Sequence, residues 1–536
     1  MSIKMKKIED IIVKTGIVVS ITLMIFLLTS LLLRTFRDFL QIQGRVRISE
    51  EWTQLESLLP IFSFGEGSFG AHFIVALNFI IALGIVIVIV KWNVDIKSFI
   101  KENSMLDKNF LSIVLFLLFV LIGYIFLRLN VGELRVDPLR VRDATISFYY
   151  YGILGDSGVR HFSVVPINLG YLWYNIIAVH IFGPANLDSG LFLMNNSLFA
   201  LVLLFMRNSL KKVYSEHGIK IFNIILCALV LFLPLANFQS YFYTFLIMTY
   251  SLLFVISILI RCEKRELSYA AIILISVILT VGNIDRRTTI LMGIAFSIYL
   301  LIMEKKITKK LCSVMVMVVI IGTTNAFVAF NYNFHDLNIS REALPTSYWI
   351  RAGQNTESRG RNNVYDNRAN LDAISEGRNE EINQENIEIT IERIRDRGIV
   401  GNIEFYADKL SWAWGSGDFD MYTRSTFASN HRDIDPDNEQ SIMSFALTNE
   451  SYVIRFLLNI YILIFYMLFV YYIQKAFREK EYWTSYFLVF MLTFSGMILF
   501  SMLSEIAPRR VFPVIPALIY VTIHTYFKKI NDNEKK

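Results

Sequence analysis

Apolar runs of about 17 to 25 residues recur along the whole chain, each long enough for a helix to cross a hydrocarbon core about 30 Å thick. Barrel strands would instead alternate polar and apolar positions, so helix is the spanning form that the pattern predicts. About twelve spans are expected. They lie near Ile11 to Leu33, His72 to Val90, Phe110 to Arg128, Asp188 to Arg207, Ile221 to Asn237, Phe242 to Ile260, Leu267 to Asn283, Thr288 to Met303, Leu311 to Phe330, Tyr452 to Ile473, Thr484 to Leu503 and Val511 to Phe527. The fold class is therefore an all-α polytopic membrane protein. Its expected regions are 1–128, an N-terminal three-span part; 129–330, a core of six spans with an outer loop at 129–187; 331–451, a large outer loop; and 452–536, a C-terminal three-span part.

Orientation follows from the cations. Lys4, Lys6 and Lys7 precede the first run, and no small-residue cleavage site follows it, so the run is expected to be retained with its N-terminus inside. Alternate loops then carry Lys91, Lys97, Lys101 and Lys108; Arg207, Lys211 and Lys212; Arg261, Lys264 and Arg265; Lys305, Lys306, Lys309 and Lys310; Lys475, Arg478 and Lys480; and Lys528 and Lys529. This pattern puts both termini in the cytoplasm of a multi-pass cell-membrane protein. It holds only if the apolar segment Val164 to Phe182 does not cross, and Pro166, Asn168, Trp173, Tyr174, Asn175 and His180 suit an interfacial or re-entrant helix there. The outer face then receives Arg34 to Ala71, Leu129 to Leu187 and Asn331 to Ser451, where chemistry is expected.

Composition narrows the class. Apolar residues make up 54% of the chain and charged residues 18%, which a soluble domain could not accommodate. The net charge of +6 is small for the length and does not suggest nucleic-acid binding. The cysteines, Cys227, Cys262 and Cys312, fall in or beside apolar runs and offer neither an external disulfide nor a cysteine metal site. No phosphate-binding loop, dinucleotide fingerprint or His-Glu-x-x-His motif occurs, so neither ATP-driven transport nor a zinc hydrolase is indicated.

The segment after the third span, Gly132 to Ala144, holds Asp137-Pro138 among Arg135, Arg140 and Arg142, and His161 to Gly170 follows. A carboxylate just outside a span, flanked by arginines, can stay ionised and act as a base. The alternative is a helix cap or an ion pair with Arg140. Here the chain resembles the GT-C superfamily of membrane glycosyltransferases, specifically bacterial relatives of the protein O-mannosyltransferases. In that family an outer-loop acidic residue, often in an Asp-Pro pair, precedes a Tyr-Phe-x-x-Tyr-Pro-Asn-Asn-Leu-Gly-like segment, which Asp137-Pro138 and Phe162 to Gly170 match loosely. Leu344 to Gly353 with Gly360-Arg361-Asn362, Lys409 to Gly417, and Glu505 to Arg510 also follow the family order.

The resemblance implies a GT-C-like fold and an inverting transferase. Its donor would be a polyprenyl-phosphate-linked sugar, and its acceptor a surface glycan, a teichoic-acid-like polymer or a protein. The implied catalytic base is Asp137. Binding residues would be Arg140, Asn168, Arg286, Arg287, Trp349, Arg351, Arg361, Glu505 and Arg509, with Arg509 favoured over Arg510 because the family pattern places Glu before Pro-Arg. Lipid-headgroup contact is the alternative for Arg286, Arg287, Arg509 and Arg510, and solvation for the loop arginines Arg351, Arg359, Arg361 and Arg368. Many relatives carry a second acidic residue after an aromatic Tyr-Thr, but here Phe242-Tyr243-Thr244 is followed by Phe245, which removes one acid from any two-acid divalent-metal site; no cofactor is otherwise called for. Val165-Pro166-Ile167-Asn168 likewise replaces Tyr-Pro-Asn-Asn.

Two other functions fit the same pattern: a polysaccharide polymerase or ligase acting on lipid-linked oligosaccharides, and a lipid-linked-sugar flippase or other transporter. Scarce mid-span charge counts against transport. The loop 331–451 is expected to be too polar and broken for an independent domain, with amphipathic helices at Ile387 to Gly398 and Asn402 to Trp414. Trp412 and Trp414 are expected at the headgroup level.

Overall fold

A computed structural model describes residues 18–30, 80–90, 104–129, 137–240, 245–263, 266–337, 343–415, 417, 419, 452–479 and 484–533. Lys4, Lys6, Lys7, Lys91, Lys97, Lys101, Lys264, Arg265, Lys480, the outer region 34–71, Gly132 to Val136, Phe242 to Thr244 and the distal outer loop 420–451 lie outside them. Every element among the described residues is helical. The chain runs through α1 (Val18–Ser30), α2 (Ile80–Val90), α3 (Asn109–Leu129), α4 (Asp137–Tyr151), α5 (Gly155–Val164), α6 (Leu169–Phe182), α7 (Leu187–Tyr214), α8 (Gly218–Leu231), α9 (Leu233–Ser240) and α10 (Leu246–Arg261). It continues through α11 (Tyr269–Asp285), α12 (Ile290–Met303), α13 (Ile307–Phe334), α14 (Thr346–Gly353), α15 (Val364–Ser375), α16 (Asn379–Gly415), α17 (Tyr452–Glu479), α18 (Ser485–Leu503) and α19 (Ile515–Asn533).

Among the described residues, six helices are long and apolar enough to cross a membrane, or up to eight if each of two bent pairs counts as one span. The six are Asn109–Arg128, Pro184–Tyr214, Ile307–Phe334, Leu457–Lys475, Ser485–Leu503 and Pro508–Lys528. Other apolar runs form shorter helices, α1, α2, α10, α11 and Arg287–Met303, of 10–17 residues. At 1.5 Å per residue α10, α11 and Arg287–Met303 reach about 24 to 26 Å, somewhat short of the hydrocarbon thickness, whereas α1 and α2 are bounded by residues outside those described. The α19 span is enclosed by α8, α10 and α17, whereas α3 and α13 leave most of their apolar surface uncovered by protein, as lipid-facing helices would.

The two ends of this bundle differ. One gathers ion pairs: Lys309 with Glu266 at 3.1 Å and Glu304 at 3.4 Å, Lys220 with Asp107 at 3.6 Å, and Lys528 with Glu263. These cations belong to loops that the charge pattern assigns to the cytoplasm. The opposite end carries the polar helices α4 to α6 and α14 to α16.

The segment Val164 to Phe182 lies across that second end. The chain bends by 110° between α5 and the helix that follows Pro166. Near the start of α6, a Cβ on Gly170 would stand 2.4 Å from the Ile284 carbonyl at the end of α11, and at its other end Phe182 lies against Gly190 in the first turns of α7. Trp173, between them, donates from Nε1 to Asn331 Oδ1 at 2.5 Å near the end of α13. Both termini of α6 therefore rest on the same end of the bundle.

The outer loop is less broken than its polarity predicts, because its polar groups are buried against one another. Asp366, in the first turn of α15, accepts from Arg351 Nε at 3.0 Å, Asn355 Nδ2 at 2.9 Å and both terminal nitrogens of Arg393 at 3.0 Å. Arg351 also donates to Glu385 and Asn386 at 3.1 Å. The α16 helix has the two expected amphipathic halves, divided at Gly398, whose φ of 61° is open to glycine at little cost. Lys409 ties this layer to the bundle by donating to the carbonyls of Gly353 at 2.6 Å, Met502 at 2.9 Å and Ser504 at 2.7 Å.

Trp414 does not face lipid, as an interfacial anchor would. It is fully buried, donates to Ser501 Oγ at 3.3 Å and packs its ring 4.9 Å from that of Phe494, because α16 ends inside the bundle instead of lying on the lipid.

Candidate functional site

Asp137 opens α4, with Pro138 in the position where a missing N–H costs nothing. Behind it sits His161, buried on α5. Burial holds the imidazole below its ordinary pKa, Asp137 pulls it up and Arg140 pushes it down, so both charges act on the ring from α4. His161 Nε2 lies 3.2 Å from Asn168 Nδ2, and both side chains are buried. Arg140 itself is exposed, while Arg142 pairs with Asp188 at 3.1 Å.

The turn that carries Asn168 leads to Gly170, and hence to Ile284 and Asp285 at the end of α11. Asp285 is buried and accepts the backbone N–H of Met248 in the first turn of α10, where a helix N-terminus favours negative charge. Arg286 is buried beside it, with its guanidinium 4.9 Å from the centre of the Phe245 ring, and Arg287 is exposed. Phe245 is thus the face on which the Arg286 cation rests.

From Phe245 a run of rings leads to the remaining candidates: Phe238 at 6.1 Å, then Phe512 at 4.4 Å from Phe238. Just before Phe512, Glu505 pairs with Arg510 at 2.9 Å, and its carbonyl accepts from the same guanidinium at 2.7 Å. The backbone is extended at Ser504 and Ala507 and resumes helix at Pro508, so Glu505 and Arg509 do not share one continuous helix. Trp349 carries the Arg510 guanidinium 5.4 Å from its ring centre, and Arg361 lies 3.8 Å over Trp412.

The structure therefore brings the Asn168 turn against Ile284 and Asp285, and sets Asp137 and Arg140 within electrostatic reach of His161, while Glu505 pairs separately with Arg510. Trp349, Arg351 and Arg361 belong to the packed outer layer, and Arg351 is bound up in its core. Among the described residues, no three His, Cys, Asp or Glu side chains form a metal-binding group.

Sequence reading missed a second polar cluster beneath this surface. Tyr174 donates to Asn195 Oδ1 at 2.8 Å, Asn195 Nδ2 donates to the Gln239 carbonyl at 3.1 Å, and Tyr250 donates to Gln239 Oε1 at 2.7 Å. Asn195, Asn196 and Gln239 within apolar runs were the available signal, since a buried amide in a span demands a partner. The chain matches no protein-family model, no curated protein and no solved structure.

Proposed function

We propose that the chain is an inverting membrane glycosyltransferase with a GT-C-like arrangement of about twelve spans. It moves a sugar from a polyprenyl-phosphate donor to a hydroxyl of a surface glycan, a teichoic-acid-like polymer or a protein on the non-cytoplasmic face of the cell membrane. The observation that carries this reading is the position of Asp137: it heads α4 within electrostatic reach of buried His161, whose neighbour Asn168 leads through Gly170 to the Ile284–Asp285 end of α11.

The chemistry needs little more. A polyprenyl-phosphate sugar leaves as a phosphate anion, so cations that neutralise developing charge replace a general acid, and arginine suits that role. Arg286 and Arg287 supply it here. Asp137 removes the proton from an acceptor hydroxyl held in line behind the anomeric carbon, which inverts the configuration. A polymerase or ligase that grips long anionic glycans through loop arginines is less well supported, because Arg351 and Arg393 are taken up by Asp366 and Arg397 by Gln354.

Asp137→Asn in the purified protein, assayed for sugar transfer from a polyprenyl-phosphate donor, tests the reading. Loss of a general base lowers turnover by about 10²- to 10⁴-fold. Full activity in the variant removes Asp137 as the base.

A further inference from the structure

His161 and Asn168 face one another across a sharp turn. Val165 donates its N–H to the His161 carbonyl at 2.8 Å, Pro166 opens a short 3-10 turn, and Asn168 donates back to the Val165 carbonyl at 3.3 Å. The two side chains are 3% and 2% exposed, so they must satisfy each other without bulk water.

They do so only in part. An amide nitrogen can only donate, so Asn168 Nδ2 makes His161 Nε2 the acceptor of their 3.2 Å contact and leaves the ring proton on Nδ1. His161 Nδ1 and Asn168 Oδ1 are then both buried with no protein partner. Exchanging the amide nitrogen and oxygen reverses which of the two is donor and which is acceptor, and still leaves one of each. An unmet buried polar atom loses its hydration without return, and two on one bonded pair call for a partner. A hydroxyl group, which donates once and accepts, complements such a pair.

Asp137 and Arg140 act on the imidazole with opposite signs, so the charges beside it partly offset one another. We propose that His161 and Asn168 form a subsite for the hydroxyl of a neutral sugar or polyol acceptor and hold it beside Asp137. The assignment of that hydroxyl as the acceptor rests on the transferase reading; the hydroxyl-binding pair itself does not.

The test uses the full chain in lipid nanodiscs with ring-¹⁵N-labelled histidine. The chain has 7 histidines, and His161→Gln identifies the resonances of His161. Methyl α-glucoside and ribitol are the probes. A saturable shift of the His161 nitrogens with at least one probe, while fully buried His524 stays fixed, is expected. Asn168→Ala, in which the imidazole remains as reporter, is expected to weaken that probe about 10-fold. Unmoved His161 nitrogens with both probes up to their solubility limit overturn the proposal, as does unchanged affinity in Asn168→Ala; either result leaves a trapped water as the partner of the pair. Should His161→Gln not fold, His161→Asn identifies the same resonances instead. Saturable binding in a protein that transfers no sugar keeps the subsite and removes the transferase. Transfer that persists with an unchanged acceptor KM in His161→Gln does the reverse.

Discussion

Asp366→Asn tests whether buried polar pairing, not apolar packing, orders the outer layer. The carboxylate is 4% exposed and receives four hydrogen bonds: Arg351 Nε and Arg393 Nη2 on Oδ1, Asn355 Nδ2 and Arg393 Nη1 on Oδ2. An amide nitrogen in place of either oxygen points a donor at two donors, one of them always on Arg393. Two bonds are lost, and two guanidinium groups lose their shared anion, although Arg351 keeps Glu385. Breaking a buried pair from one side costs about 3–5 kcal/mol. Hydrogen exchange read by mass spectrometry over α14 and α15 reports the opening directly. At 1.36 kcal/mol per decade, the variant exchanges roughly 10²- to 10⁴-fold faster in that layer. Acceleration under about 10-fold there, or an equal change throughout the bundle, refutes the reasoning.

The same carboxylate sets a pH dependence. Burial alone would raise its pKa, but the bonds from Arg393 and Asn355 and the charges of Arg393 and Arg351 outweigh that and hold it below the ordinary value. Its folded pKa being depressed, the contribution is complete above about pH 3.9 and is lost as pH falls through the lowered folded value. Protection of α14 and α15, corrected for intrinsic exchange, therefore stays level down to that range and drops below it in the wild type. In Asp366→Asn this step is missing.

Two further substitutions probe how the layers are joined. Lys409→Met leaves the carbonyls of Gly353, Met502 and Ser504 without their shared donor, and thermal unfolding of the purified protein should register a loss of about 3 kcal/mol; an unchanged midpoint would deny the clamp. Gly170→Ala places a Cβ 2.4 Å from the Ile284 carbonyl and 3.0 Å from the Asp285 Cα, so α6 must shift, at a cost of about 1–3 kcal/mol. Its transfer activity should fall with it, and activity that survives intact would separate the Asn168 turn from the Arg286 turn.

What the sequence made legible was governed by local periodicity and by charge. The long apolar helices α3 and α18, the sharp bend at Pro166 and the two-part stretch broken at Gly398 all follow from residues close in sequence. Contacts between distant residues did not. Asp366 meets Arg351 and Arg393 across 15 and 27 residues, and Lys409 meets Met502 across 93, distances over which composition carries no register. Arg351 and Trp414 read as exposed because arginines and tryptophans in a polar loop usually serve the surface, yet here partners contributed by other helices bury them.

The account depends on the layer of α4 to α6 and that of α14 to α16 lying on one side of the membrane, opposite the ion-paired end. Single cysteines at Tyr151, 76% exposed, at Tyr365, 80% exposed, and at Lys306, whose side chain is 63% exposed, can report this in intact cells once Cys227, Cys262 and Cys312 are replaced. A membrane-impermeant maleimide is expected to label Tyr151→Cys and Tyr365→Cys from outside, and Lys306→Cys only after permeabilisation. Labelling that divides Tyr151→Cys from Tyr365→Cys, or that reaches Lys306→Cys in sealed cells, contradicts it.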